Sequence, residues 1–217
     1  MRWRILSSVL WLAAPLWADS YFLEHASVVD VVAGKVERNT NVAVDDGRII
    51  GIGPKVAKPA NAHVIDARDK YVIPGLWDMH VHLGDANAAF QAYLANGITA
   101  VRDMYPEFPL QVVAQWRTRP DLPRLAIPGF LDGPLMLSGG LPPPGAYAVG
   151  NATEARNAVW FIAQSGYDFI KVYNSLPREA YFSIAEQSRA IGIPFAGHVP
   201  EAVSPLEASD AGQRSQE

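Results

Sequence analysis

Val72-Ile73-Pro74-Gly75-Leu76-Trp77-Asp78-Met79-His80-Val81-His82-Leu83 opens as an apolar extended run, turns at Pro74-Gly75 and closes on two histidines one residue apart. The pattern predicts a strand over 72–82 that follows a junction between two units. Successive side chains on a strand alternate faces, so His80 and His82 share one face. Two imidazoles side by side are half of a metal site. An unpaired imidazole is costly to bury, so a pair in a strand of this character needs partners. On the triplet alone, metal binding and two hydrogen-bonded core histidines stand level.

Downstream, strand and helix signals alternate. Asp85 can cap a helix over 86–96 that Gly97 ends. Ile98–Asp103 reads as a strand, 107–118 as a helix and Arg124–Leu131 as a third strand. A long loop follows, with Gly139-Gly140 and Pro142-Pro143-Pro144-Gly145. Asn151 with Glu154 three residues on resembles a capping box, and the helix it opens stops at Gly166. Asp168–Tyr173 is a strand, Pro177 opens a helix to Ile191 that Gly192 ends, and Ile193–His198 is a fifth strand. This alternation argues a parallel sheet with helices outside it, an α/β architecture. A full (β/α)8 barrel takes about 250 residues, so 74–217 is either an open five-stranded sheet or part of a barrel. The tail over Glu207–Glu217 is polar and offers no closing element.

Upstream, residues 20–73 carry β signals only. Asp45-Asp46-Gly47 between Asn41–Val44 and Arg48–Ile52 is a strong hairpin signal. This predicts a small β unit over 19–73. Residues 1–18 differ: Arg2 and Arg4 make a basic start, 5–17 is mostly apolar, and Ala18 precedes Asp19. That is the layout of a secretory signal peptide, which predicts a periplasmic or secreted protein with no stable membrane span after cleavage.

The 217 residues are 49% hydrophobic with a net charge of −4, which gives no basic footprint for nucleic acid. There is no cysteine, hence no disulfide, thiolate site or cysteine nucleophile. Any metal must use His, Asp, Glu or a modified side chain. His80 and His82 end the first strand, Lys171 lies near the end of the fourth, and His198 ends the fifth. Barrel enzymes keep their chemistry at these C-terminal strand ends. A lysine within an apolar strand must be neutralised, paired or modified, or must reach solvent at the strand end. By alternation Lys171 shares a face with Phe169 and Tyr173. Asp78, Asp103 and Tyr173 are candidates to support the ligands or to meet substrate, with turn and salt-bridge roles open to the two aspartates. His25 and His63 read as structural.

The P-G-L-x-D-x-H-x-H run at 74–82, Gly97–Asp103, the Phe169–Tyr173 run around Lys171 and Gly197-His198 together resemble the amidohydrolase superfamily, in its imidazolonepropionase-like and prolidase-like branch. The resemblance spans residues 20 to 217. It implies part of a TIM (β/α)8 barrel, about five strands of it, preceded by part of a small β-sandwich domain. It also implies a hydrolase of carbon–nitrogen bonds in small amides, cyclic amides or dipeptides, with a metal-activated hydroxide attacking the carbonyl. The implied ligands are His80, His82, Lys171 and His198, holding one or two divalent ions, zinc by donor type. The lysine would be carried as a carbamate formed with CO2. The sixth-strand histidine and the catalytic aspartate of the family fall beyond residue 217, so the catalytic residue is unassigned and a chain ending at Glu217 is expected to be inactive. The alternatives are an ester or lactone hydrolase on the same scaffold and a non-catalytic fragment. The partner is a small-molecule substrate; the oligomeric state is left open.

Overall fold

The computed structural model describes residues 19–135 and 144–217. The signal-like segment 1–18 and loop residues 136–143 lie outside them, so the cleavage site and most of the Gly-Gly and Pro-rich tract do too. The chain divides into two compact units, Met1–Pro74 and Gly75–Glu217.

The first unit is one mixed sheet, a single layer of the expected sandwich. Strands β1 (Tyr21–Asp30), β2 (Lys35–Asp45) and β3 (Arg48–Gly53) form an antiparallel meander. Strands β4 (His63–Asp66) and β5 (Tyr71–Val72) both run parallel to β1. The hairpin between β2 and β3 has positive φ at both Asp46 (47°) and Gly47 (68°), the primed turn whose twist matches the strands. His25 and His63 find local partners: the His25 Nδ1 lies 2.9 Å from the Asn39 Oδ1, and His63 packs on the Tyr21 ring.

The second unit alternates strand and helix: β6 (Leu76–Val81), α1 (Ala86–Ala95), β7 (Ile98–Asp103), α2 (Leu110–Arg117), β8 (Arg124–Ala126), β9 (Pro128–Asp132), β10 (Ala146–Ala148), α3 (Ala152–Ser165), β11 (Phe169–Val172), α4 (Arg178–Ile191), β12 (Phe195–Gly197) and α5 (Pro205–Asp210). All strand pairs are parallel, in the orders β6-β7-β8 and β10-β9-β11-β12. This is part of a (β/α)8 barrel. Outside the strands, Ile170, Val172 and Leu131 pack with Val159 and Ile162 of α3 and Tyr181 and Ile184 of α4. Each fully buried Ile or Leu there contributes roughly 1.5–3 kcal/mol. Val81, Val101 and Leu125 pack with Phe90 of α1 and Val113 of α2. The opposite face carries Met104, Phe169 and Ala196.

Four sequence expectations need correction. The run 72–82 is not one strand: Val72 pairs with Val28 in the first unit, Leu76 starts a new strand beside Ile98, and His82 lies just past its end. Pro74-Gly75 separates the two because proline cannot donate to a ladder. The strand expected over 124–131 is interrupted at Ile127. There the Asp168 carboxylate accepts the Ile127 N–H at 2.7 Å and also holds Arg117, which takes the Leu125 carbonyl. A carboxylate thus replaces a ladder bond, β8 stays with β7, and β9 joins β11. The tail, expected to be polar with no closing element, packs against the unit: Ser204 and Glu207 form a capping box for α5, Gln213 is buried, and Gln216 makes an isolated parallel bridge to Gly197. Asn151 does cap α3 through the N–H groups of Thr153 and Glu154, but Glu154 reaches Gly150 rather than closing a box. Gly166 and Gly192, both left-handed, end α3 and α4 as expected. Among the described residues, no helix is long and apolar enough to cross a membrane.

Candidate functional site

Three strand ends supply the site. His82 follows β6, Tyr173 follows β11 and His198 follows β12, while Lys171 lies within β11 beside Phe130 and Ala196. His82, Lys171, Tyr173 and His198 line one pocket of about 480 Å³. The alternation expected for β11 holds: Lys171 and Tyr173 line this pocket, and Ile170 and Val172 pack with the helices. A cavity of about 490 Å³ beside Ser188, Arg189 and Arg214 contains none of the candidate residues.

The His80 and His82 rings stack with centroids 5.7 Å apart, so the pair does share a face. The His198 ring lies 4.2 Å from that of Tyr173. Its Nδ1 donates to the Asn174 Oδ1 at 2.7 Å. Burial pushes the His82 and His198 pKa values down, and the charges of His80 and Lys171 push the same way. Both imidazoles are therefore held in the neutral form that ligates metals.

Lys171 is the least expected feature energetically. It is 1% exposed. Among the described residues its ammonium has no hydrogen-bonded or ion-paired partner, and the Tyr173 ring centroid lies 5.9 Å from Nζ. Burial lowers its pKa from 10.5 to about 8, with Arg102 adding to the effect and Glu217 opposing it. A pKa near 8 leaves about a tenth of this amine neutral at pH 7, far more than an ordinary lysine, and that fraction is nucleophilic. Gly197 makes room for it: a Cβ there would stand 2.3 Å from the Val172 carbonyl oxygen and 2.7 Å from the Lys171 Cδ, and its φ is 132°.

The two aspartates named from sequence do not line the pocket. The Asp78 Oδ1 accepts the His80 backbone N–H at 3.2 Å. Asp103 is buried, accepts the Tyr105 N–H, and is pushed up to about 7 chiefly by burial. The pocket instead holds Asp132 and Glu107. Asp132 is fixed by the N–H and hydroxyl of Ser175 at 2.8 and 2.9 Å, and Glu107 by the Gly84 N–H at 2.7 Å. Tyr105 and Phe130 add an aromatic wall, edge to face at 5.5 Å. Sequence reading missed these residues because none belongs to a motif: Tyr105 and Glu107 follow β7 in an irregular stretch, and Phe130 and Asp132 lie in β9. The one available signal was position: Asp132 ends the third strand as Tyr173 ends the fourth.

Among the described residues, no three His, Asp or Glu side chains converge as a ready metal cage. The donor chemistry nonetheless fits a divalent ion. Imidazoles from separate strands, His82 and His198, line the same pocket as Lys171, Asp132 and Glu107, and a carbamate on the amine would add a further anionic oxygen donor.

No family model matches the chain. A dihydroorotase of Anaeromyxobacter dehalogenans strain 2CP-C is 35% identical over 83 residues, which are 38% of this chain and 19% of that protein. Among solved structures, bottromycin amidohydrolase superposes with a TM-score of 0.70 at 26% identity, covering 91% of this chain and 42% of that one. A Bifidobacterium longum protein assigned as a prolidase gives 0.67 at 26%, covering 89% and 52%. The chain thus spans about half the length of these solved relatives.

Proposed function

Because the chain belongs to the amidohydrolase superfamily, we propose that it forms the front of the active site of a metal-dependent hydrolase of carbon–nitrogen bonds in small amides, cyclic amides or dipeptides. The observation that carries this reading is Lys171: a buried side chain with no hydrogen-bonded or ion-paired partner among the described residues, lining the pocket with His82 and His198 at the C-terminal ends of parallel strands. A structural lysine would not be placed so, since burying an ammonium without a partner is costly. A lysine that becomes a carbamate gains a negative charge there.

His80, His82, His198 and a carbamate on Lys171 would hold one or two divalent ions. Nitrogen and oxygen donors without sulfur suit zinc. When bound, such an ion polarises a carbonyl and acidifies water. The remaining work belongs to the chain. The Lys171 amine, neutral in part near pH 8, attacks CO2 and releases one proton. Asn174 holds the His198 ring by its Nδ1–H. Tyr105, Phe130 and Tyr173 offer aromatic faces to the apolar part of a substrate, and Asp132, anchored by Ser175, presents a fixed carboxylate to its polar part. The apolar segment after Arg2 and Arg4 supports export to the periplasm or beyond.

The test is metal content by elemental analysis of the wild type and of the His80→Ala/His82→Ala variant, with bicarbonate present. Metal in the wild type and its loss in the variant is the expected result. Equal metal in both would refute the site, and turnover of esters or lactones alone in a substrate panel would move the assignment away from amides.

A further inference from the structure

Arg102 lies on the inner face of β7 and is only 9% exposed. Each arm of its guanidinium is committed. Nε donates to the Met79 carbonyl at 2.7 Å, Nη1 to the Ser215 hydroxyl at 2.9 Å, and Nη2 to the Glu217 Oε1 at 2.5 Å. The Ser215 hydroxyl donates to that same Oε1 at 2.7 Å. The other oxygen of Glu217, Oε2, stands 2.7 Å from the Nδ1 of His80. A chain of contacts therefore runs from the 215–217 segment, beside β12, through Arg102 to the strand that carries the paired histidines.

A carboxylate paired with arginine only accepts hydrogen bonds. The ring nitrogen facing Oε2 must then carry a proton. In a neutral imidazole that leaves the lone pair on Nε2. We propose that Glu217, oriented by Arg102 and Ser215, is a positioning residue that holds His80 in its Nδ1–H tautomer and so makes Nε2 the nitrogen that ligates metal. This rests on the metal-site reading for its purpose, though not for its geometry. Ligating histidines commonly depend on an oxygen acceptor behind the ring, and losing it costs about 10–100-fold in metal affinity. His198 is held likewise, but by the neutral amide of Asn174; the anionic partner makes His80 the stronger donor of the two.

The network makes a pointed prediction for Glu217→Gln, a near-isosteric change. Arg102 and Ser215 require an acceptor where Oε1 now lies. The glutamine oxygen takes that position, which places its NH2 group against Nδ1 of His80. An NH2 group cannot accept, so Nδ1 must give up its proton and the tautomer flips to Nε2–H. Nitrogen NMR of the histidine rings in metal-free protein, well above the ordinary imidazole pKa of about 6.5, reads this directly. The expected result is a protonated Nδ1 on His80 in the wild type and a protonated Nε2 in Glu217→Gln, with zinc affinity about 10–100-fold lower in the variant. A purely structural tie between strands would leave the tautomer unchanged. The proposal is overturned by an Nε2–H His80 in the folded wild type, which needs no variant, or by an unchanged tautomer in a folded Glu217→Gln. If the tautomers behave as stated but the wild type takes up no zinc, the metal reading fails while the positioning role stands.

Discussion

Replacing Lys171 with methionine should stabilise the metal-free protein, by an amount that depends on pH. The lysine side chain is 1% exposed, but it lines the pocket of about 480 Å³, so water there screens its charge in part. Its folded-state pKa is lowered from 10.5 to about 8. Each tenfold change in proton affinity is worth about 1.36 kcal/mol, so charged Lys171 costs the folded state at most about 3 kcal/mol relative to a solvated lysine, and less to the extent that pocket water screens it. The sign follows from proton counting. Between pH 8 and 10.5 the unfolded chain binds more protons at this group than the folded one, so wild-type stability rises with pH there. Below pH 8 both states are charged and the full penalty applies; above 10.5 both are neutral and it vanishes. Methionine has similar length, no charge and enough flexibility to fill the slot. Urea unfolding of both proteins in metal-free, bicarbonate-free buffer across this range gives the difference in stability. The pH-dependent part of the difference should be about 1–3 kcal/mol in favour of Lys171→Met near pH 7 and should shrink steadily through the window, leaving only a pH-independent packing term. A difference that stays flat from pH 7 to 11 would show that the lysine is not a buried unpaired ammonium, and the argument for its modification would go with it.

Gly197→Ala should destabilise the protein by about 2–4 kcal/mol, from positive-φ strain and from driving a methyl group into the Val172 carbonyl and Lys171. Thermal unfolding should show a fall of roughly 5–15 °C. Gly166→Ala, at a φ of 92° with nothing within 4 Å, is the control and should cost only about 1 kcal/mol. Equal effects of the two would remove the steric argument at 197. Asp103→Asn should stabilise the protein above pH 7 and lose that advantage as pH falls toward 4. Burial raises the folded-state pKa to about 7, so between those values the folded state binds more protons and wild-type stability falls as pH rises. A pH-independent difference in unfolding midpoint would count against this assignment.

Local chemistry alone determined much of this protein. Asp46-Gly47 dictated the hairpin, Gly166 and Gly192 ended their helices, and Asn151 capped α3, because turns and caps depend on residues a few positions apart. The His80–His82 spacing placed two imidazoles on one face, and the order of motifs placed Lys171 and His198 on later strands; His82, Lys171 and His198 share a pocket, which His80 does not line. Contacts between distant residues decided the rest. Asp168 breaks the third strand from 41 positions away, and no window around Ile127 contains that carboxylate. Asp103 sits in the same motif as Arg102, yet neighbouring strand residues face opposite ways, so Arg102 turns inward to Glu217 while Asp103 stays out of the pocket. Glu217 reaches His80 across 137 residues only because parallel pairing brings the segment after α5 alongside β12. Sequence spacing assigns a strand position and a face. It cannot assign the partner across the barrel, and here that partner decides which nitrogen of His80 is free.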